Sequence, residues 1–373
     1  MSIEKSRLSS RQLSILGMLV LIGDMALVYP TTMASGAKQD AWIAGLVGIV
    51  FGLIIIKILL ITSNIDPEKT LIELSLEVFG KWIGGLVAIS YLIFFLLAGS
   101  TYIKEVEDFL TTQIYENTPG GVIRGMAIIL LAYGLRKGID TLGRTSQIMY
   151  PFFVLFLVLL VVLLFPEMDI KRIYPILDRS PLDFWETVLF GLFYPFGEMC
   201  VFLMVLPYVK KEQKTERNFL FMVAMGALGL NIILFLSLTV LSPYLSHHQF
   251  YSTYILARQI NIGNFLQRLE ALIATAWIIS TYFKTVLYYY AFVLGFAQLL
   301  KLNSYKYLII PVSFLLYGLS EIISPNIIFL LKSIPKSWVD WDITHGLFFP
   351  LMLILVNKIR KRHSQKKLKK QEQ

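Results

Sequence analysis

Cysteine is nearly missing from this chain of 373 residues: Cys200 stands alone, which excludes a disulfide framework. Histidine is scarce as well. The four histidines, His247, His248, His345 and His363, fall near the ends of apolar blocks or in loops. The adjacent pair His247–His248 reads as polar loop rather than as metal ligands. There is no CxxC, HExxH or Walker-type phosphate loop. No nucleophile–base constellation is visible, so no enzyme activity, metal or cofactor is expected. Charge is the third shortage, at 16% of residues against roughly 25% in an ordinary soluble domain.

What fills the chain instead is apolar sequence, 56% of residues. It comes in blocks, many of them near the roughly 20 residues that cross a hydrocarbon layer. Spans are predicted at about 13–34, 41–62, 83–104, 122–138, 146–166, 185–207, 218–241, 266–296, 304–323 and 342–358. The expectation is one all-α polytopic membrane domain over 1–358, with about ten spans. Its first half covers about 13–166, its second about 185–358, and a basic tail follows at 359–373. The start "MSIEKSRLSSRQLS" is polar, so no cleavable signal peptide is expected.

Lysine and arginine set the orientation. With a cytoplasmic N-terminus, that side collects about 22 of the 34 basic residues and the opposite loops about seven. This bias requires an even number of spans and places both termini in the cytoplasm. The net charge of +9 is therefore topological. The tail "NKIRKRHSQKKLKKQEQ" reads as a solvated segment beside anionic lipid, not as a nucleic-acid site.

Two spans carry residues that are costly at bilayer depth. Span 6, "FWETVLFGLFYPFGEMCVFLMVLPYV", holds Tyr194, Pro195, Gly197 and Glu198 near its middle. Span 1, "LSILGMLVLIGDMALVYPTTMASG", holds Gly23 and Asp24, then Tyr29 and Pro30. Proline removes a backbone donor, and a carboxylate in hydrocarbon costs a few kcal/mol or more. Interrupted helices are tolerated in membranes where the freed backbone lines a cavity or is buried in protein. Matched interruptions in the first helix of each half mark the binding site of inverted-repeat transporters. A half-helix N-terminus favours a carboxylate, while freed carbonyls and an acid hold an ammonium. A small zwitterion, an amino acid, matches both poles. Glu198 then either counters a positive group or bonds the backbone of a neighbouring helix.

At these residues the chain resembles the B subunit of spore germinant receptors, the endospore germination permeases. The stretches that carry the resemblance are "LSSRQLSILGMLVLIGDMALVYPTTMASGAKQDAWIAGLVG", "FGLFYPFGEMCVFLMVLPYVKK" and "FLQRLEALIATAWIISTYFKTVLYYYA". Most specific are "KQDAWIA" and "RLEALIATAW" with a following "FK".

The resemblance implies membership of the amino acid–polyamine–organocation superfamily and a leucine-transporter-like 5+5 inverted repeat with helices 1 and 6 broken. It implies residence in the inner membrane of the bacterial endospore, beside an A-type membrane subunit and a C-type lipoprotein. It implies the sensing of a small germinant, commonly an L-amino acid and in some receptors a sugar or nucleoside. The alternative is an amino-acid permease that transports its ligand.

In that fold the ligand lies between helices 1, 3, 6 and 8. The candidates offered there are Gly23, Asp24 and Tyr29; Thr101 and Tyr102, with Glu105 nearby; Tyr194, Gly197 and Glu198, with Cys200; and Trp277, Thr281, Lys284, Thr285 and Tyr288. An acid at Asp24 departs from the small or apolar residue expected there. Glu270, Trp277, Thr281 and Lys284 are spaced by seven, four and three, which puts them on one helical face. Lys284 pairs with Glu198, Glu105 or a ligand carboxylate, or else snorkels to the interface. The small-residue clusters "GLVGIVFG" in span 2 and "MGALGL" in span 7 are expected to face lipid and receive the partner subunit.

Overall fold

The computed structural model describes residues 7–260, 270–324, 329 and 334–371. The chain opens with α1 (Ser10–Ile22) and α2 (Met25–Ala37), the two halves of span 1. Then come α3 (Ala41–Ser63), α4 (Leu71–Phe79), α5 (Lys81–Gln113), α6 (Gly120–Arg136) and α7 (Ile139–Leu164). The second half holds α8 (Pro181–Gly197), α9 (Thr215–Val240), the short α10 (Pro243–His248) and α11 (Ser252–Arg258), α12 (Glu270–Leu299) and α13 (Ile309–Ile322). It closes with α14 (Ile334–Asp342), a π-helical turn Ile343–Phe348, and α15 (Phe349–Gln371). Among the described residues the only β contact is a single parallel bridge between Leu8 and Val209.

Seven helical stretches of the described residues are long and apolar enough to cross a membrane by themselves, fewer than the predicted number. Span 1 falls below that measure because Gly23 and Asp24 divide it into two 13-residue helices, of which the second runs into α3. Spans 4 and 9 are short, 17 and 14 residues as α6 and α13.

Local signals begin the helices where the sequence asks for it. Ser9 and Gln12 form a reciprocal capping box at α1, as Thr70 and Glu73 do at α4. Pro30 lies inside α2 without ending it, so the interruption in span 1 belongs to Gly23–Asp24 alone. Span 6 stays α-helical to Gly197 and then tightens into a 3-10 helix over Glu198–Met204. Such a stretch within one span marks a hinge or a site under strain.

In the packing, α1 lies against α9 and α3 against α8, while α5 contacts α4, α6, α12 and α13. The glycines of "GLVGIVFG" do not face lipid. A methyl group on Gly48 would meet the Gly191 backbone at 3.1 Å, one on Gly52 would strike the Phe196 ring, and one on Gly45 the Asn231 side chain. In span 7, Gly226 packs on Met18 and Leu21 of α1. Gly45, Gly48, Gly52 and Gly226 therefore serve close approach inside the chain, while a methyl group on Gly229 of "MGALGL" would meet nothing within 4 Å. Apolar side chains turned outward include Ile148, Phe152, Leu155, Val158 and Val162 of α7 and Met126, Ile129 and Leu130 of α6.

Both ends of span 1 are tied down. At one end Leu8 N–H donates to the Tyr208 carbonyl and Lys210 N–H to the Leu8 carbonyl, each at 2.8 Å. At the other, Thr31 Oγ1 donates to the Gln249 carbonyl at 3.0 Å and lies 2.7 Å from Ser252 Oγ. The "KQDAWIA" motif has a similar role. Leu177 N–H donates to Asp40 Oδ1 at 2.7 Å, and Gln39 Nε2 to the Pro175 carbonyl at 3.2 Å, so the motif pins the loop before α8.

Candidate functional site

The site begins at a glycine. Gly23 has φ +30°, a conformation that side-chain-bearing residues avoid, and a methyl group there would run into the Lys284 side chain. This turn breaks span 1 and leaves its carbonyls weakly paired within the span, the Asp24 carbonyl accepting the Leu27 N–H only at 3.4 Å. Helix α12 supplies the donors: Ser280 Oγ donates to the Gly23 carbonyl at 2.9 Å, and Trp277 Nε1 to the Asp24 carbonyl at 2.9 Å.

One turn further along α12, the Lys284 ammonium makes ion pairs with Asp24 Oδ1 and with Glu198 Oε2. Lys284 and Glu198 are each 1% exposed at the side chain and Asp24 is 0%. One cation thus joins the interruptions of spans 1 and 6 to the helix between them. Further hydrogen bonds help a buried ion pair to hold, and they fall on Glu198 and not on Asp24, whose Oδ2 is buried without a donor. Here Glu198 Oε1 accepts from Tyr102 OH at 2.7 Å and from Trp338 Nε1 at 2.8 Å. The Glu198 carbonyl accepts from Tyr288 OH at 2.7 Å. The Lys284 ammonium also sits 4.7 Å from the centroid of the Tyr102 ring, a cation–π contact.

The sequence candidates therefore divide. Gly23, Asp24, Tyr102, Glu198, Trp277, Lys284 and Tyr288 come together in one hydrogen-bonded cluster. Thr101 Oγ1 is spent on the Leu97 carbonyl and Thr285 Oγ1 on the Thr281 carbonyl. Thr281 Oγ1 is buried without a hydrogen-bond partner. Tyr29 and Tyr194 pack on Phe190, at 6.5 and 5.0 Å between centroids. Gly197 faces Asp342, and Cys200 is buried. Of the two directions open to Lys284, snorkelling is ruled out by its burial and its two carboxylate partners. Glu105 is buried nearby, with Oε2 lacking a hydrogen-bond donor.

Trp338, Asp342 and Ser280 escaped the sequence reading. Trp338 and Asp342 lie on α14, in "SWVDWD", which ends on the first residue of predicted span 10. The seam between that helix and span 6 is very tight: a methyl group on Gly346 would meet the Gly197 carbonyl oxygen at 2.6 Å, and one on Gly197 the Asp342 Cβ at 2.7 Å. Two glycines facing each other across a π-helical turn were the available signal, legible only once the register of the two spans is known.

A cavity of 580 Å³ touches the cluster at Tyr102. It runs between α5, α6 and α12, with Tyr102 and Thr285 among its lining residues.

Two helices interrupted at one buried ion triad, in an all-helical membrane protein, define the class: a leucine-transporter-like fold. The fold matches the crystal structure of MhsT in complex with L-phenylalanine, with TM-score 0.66, 13% identity, and coverage of 94% of this chain and 99% of that one. The chain belongs to the Spore germination protein family, whose pattern it matches over residues 7–328. It is 25% identical over 367 residues to Spore germination protein KB of Bacillus subtilis (strain 168), 97% of this chain and 98% of that protein. It is also 22% identical over 362 residues to Spore germination protein YndE of the same organism, covering 96% and 98%. With the putative spore germination protein YfkT, again from that organism, it shares 28% over 251 residues, covering 67% and 68%.

Proposed function

We propose that this protein is the germinant-sensing membrane subunit of a spore germination receptor and that it binds a small amino acid at the Asp24–Glu198–Lys284 cluster. The observation that carries the reading is the bridge of one lysine ammonium to carboxylates from both interrupted helices. Asp24 and Glu198 already hold an ammonium, and that is the group a free amino acid presents. A ligand ammonium exchanges with Lys284 on these carboxylates, and the released Lys284 takes the ligand carboxylate. The exchange separates α12 from the two interrupted helices and gives the ligand different affinities for the two arrangements, as a receptor requires. The solved complex of MhsT, which has this fold, contains L-phenylalanine, a ligand of the same zwitterionic class. Tyr29, Thr101, Tyr194, Gly197, Thr281 and Thr285 shape the wall around the exchange. In this reading the protein lies in the spore inner membrane with both termini on the core side, and passes the rearrangement to an A-type membrane subunit and a C-type lipoprotein.

The alternative is a working amino-acid permease of the same fold. Purified protein in proteoliposomes separates the two. The receptor reading expects saturable binding of a labelled amino acid without net accumulation, and recovery with the A- and C-type subunits from spores. Accumulation by the subunit alone would replace it with the permease.

A further inference from the structure

Carboxylates outnumber cations around the interruption of span 6. Asp24, Glu105, Glu198 and Asp342 are all buried there, and Lys284 is the cation that meets them. Lys284 engages one oxygen of Asp24 and one of Glu198. Glu105 and Asp342 are left over, and Asp342 is the more isolated of the two, since Glu105 lacks a donor on Oε2 alone. Asp342 is 0% exposed, and both of its oxygens are buried without a hydrogen-bond donor.

The surroundings of Asp342 can be followed element by element. On span 6, Tyr194, Glu198 and Cys200 interact with it electrostatically, and Gly197 touches its Cβ. On α12 the groups are Lys284 and Tyr288, and on span 1 Asp24. On its own span, His345 is committed elsewhere, with Nδ1 2.8 Å from the Trp341 carbonyl and Nε2 2.9 Å from Ser90 Oγ of α5. The one cation of this set is thus already shared by two other carboxylates. An ionised carboxylate with no donor in a low-dielectric interior costs several kcal/mol or more, and a positive charge placed on it removes that cost.

We propose that Asp342 is the anionic half of a monovalent-cation subsite at the interruption of span 6, taking either a proton or an alkali cation. A single charge is called for, because no group of three or more His, Cys, Asp or Glu side chains among the described residues converges to hold a metal ion. The subsite adjoins the Lys284 cluster and is separate from it. It lies on the Gly197–Gly346 seam, where spans 6 and 10 are already in close contact.

Thermal unfolding of the purified full chain in nanodiscs, with no amino acid present, tests the subsite. A ligand that binds the folded state raises the unfolding midpoint as its concentration passes its dissociation constant. The midpoint is measured at constant ionic strength in sodium, potassium and N-methyl-D-glucamine chloride, each across a pH series. An upward shift with sodium or potassium identifies an alkali cation, and an upward shift on acidification in the organic salt identifies a proton. Either shift should vanish in Asp342→Asn and persist in Asp342→Glu. A wild-type midpoint indifferent to both variables overturns the proposal even if no variant folds. So does a response that Asp342→Asn retains. Because no amino acid is present, failure here leaves the ligand reading at Lys284 untouched.

Discussion

Lys284 and Glu198 form an ion pair in which each side chain is 1% exposed, and the same ammonium reaches Asp24 across the other interruption. Removing one member of such a buried pair leaves an uncompensated charge and costs about 3–5 kcal/mol. Lys284→Met should therefore lower the unfolding midpoint of the purified protein sharply. Combining it with Asp24→Asn and Glu198→Gln should recover most of the loss, since neither carboxylate paired with Lys284 is then left charged and unpaired. Additive losses across the three substitutions would mean that the residues do not act as a unit.

Gly197 and Gly346 set the distance between spans 6 and 10. A methyl group on either meets backbone or Cβ atoms of the other span at 2.5–2.7 Å, which no rotamer change relieves. Gly197→Ala and Gly346→Ala should each cost about 1–3 kcal/mol through overpacking while leaving membrane insertion intact. Immunoblots of spore membranes check abundance, and thermal unfolding checks the cost. Because the two sites share one seam, the double variant should cost less than the sum.

Asp40 fastens the loop before α8 through the Leu177 amide. A hydrogen bond to a charged group contributes about 1.5–3 kcal/mol. Asp40→Ala should free this loop, and limited proteolysis should then cut near Lys171, Arg172 or Arg179 at lower trypsin concentration than in the wild type. An unchanged digestion pattern would mean that other contacts hold the loop.

Much of this architecture was legible because hydrocarbon demands long apolar runs, and such runs stand out against any background. The Gly23–Asp24 interruption was legible for the same reason: a glycine and an acid at the middle of a span need a purpose. The spacing of Trp277, Thr281 and Lys284 gave their common face. The direction in which Lys284 points was not legible, because a long flexible side chain serves a buried carboxylate and a membrane interface equally well. Glycines facing lipid and glycines facing a neighbouring helix look alike in sequence, so Gly45, Gly48 and Gly52 were assigned to the wrong side. Asp342 and Trp338 were missed because an acid and tryptophans at the head of a span resemble an interfacial anchor. The π-helical turn that brings them to Glu198 leaves no residue pattern of its own.

The central claim is that Asp24 and Glu198 hold a ligand ammonium in exchange for Lys284. Equilibrium binding of labelled amino acids to purified wild-type and Glu198→Gln protein tests it most directly, after a screen of the wild type to find the amino acid it takes. Glutamine keeps the shape of the side chain, can still accept from Tyr102 and Trp338, and removes the charge. The dissociation constant of the amino acid should rise at least tenfold, about 1.4 kcal/mol, while a competitor lacking the amino group should bind both proteins with equal affinity. Equal affinity of the two proteins for the amino acid would contradict the claim, and would leave the Lys284 bridge as a structural tie between spans 1, 6 and 8.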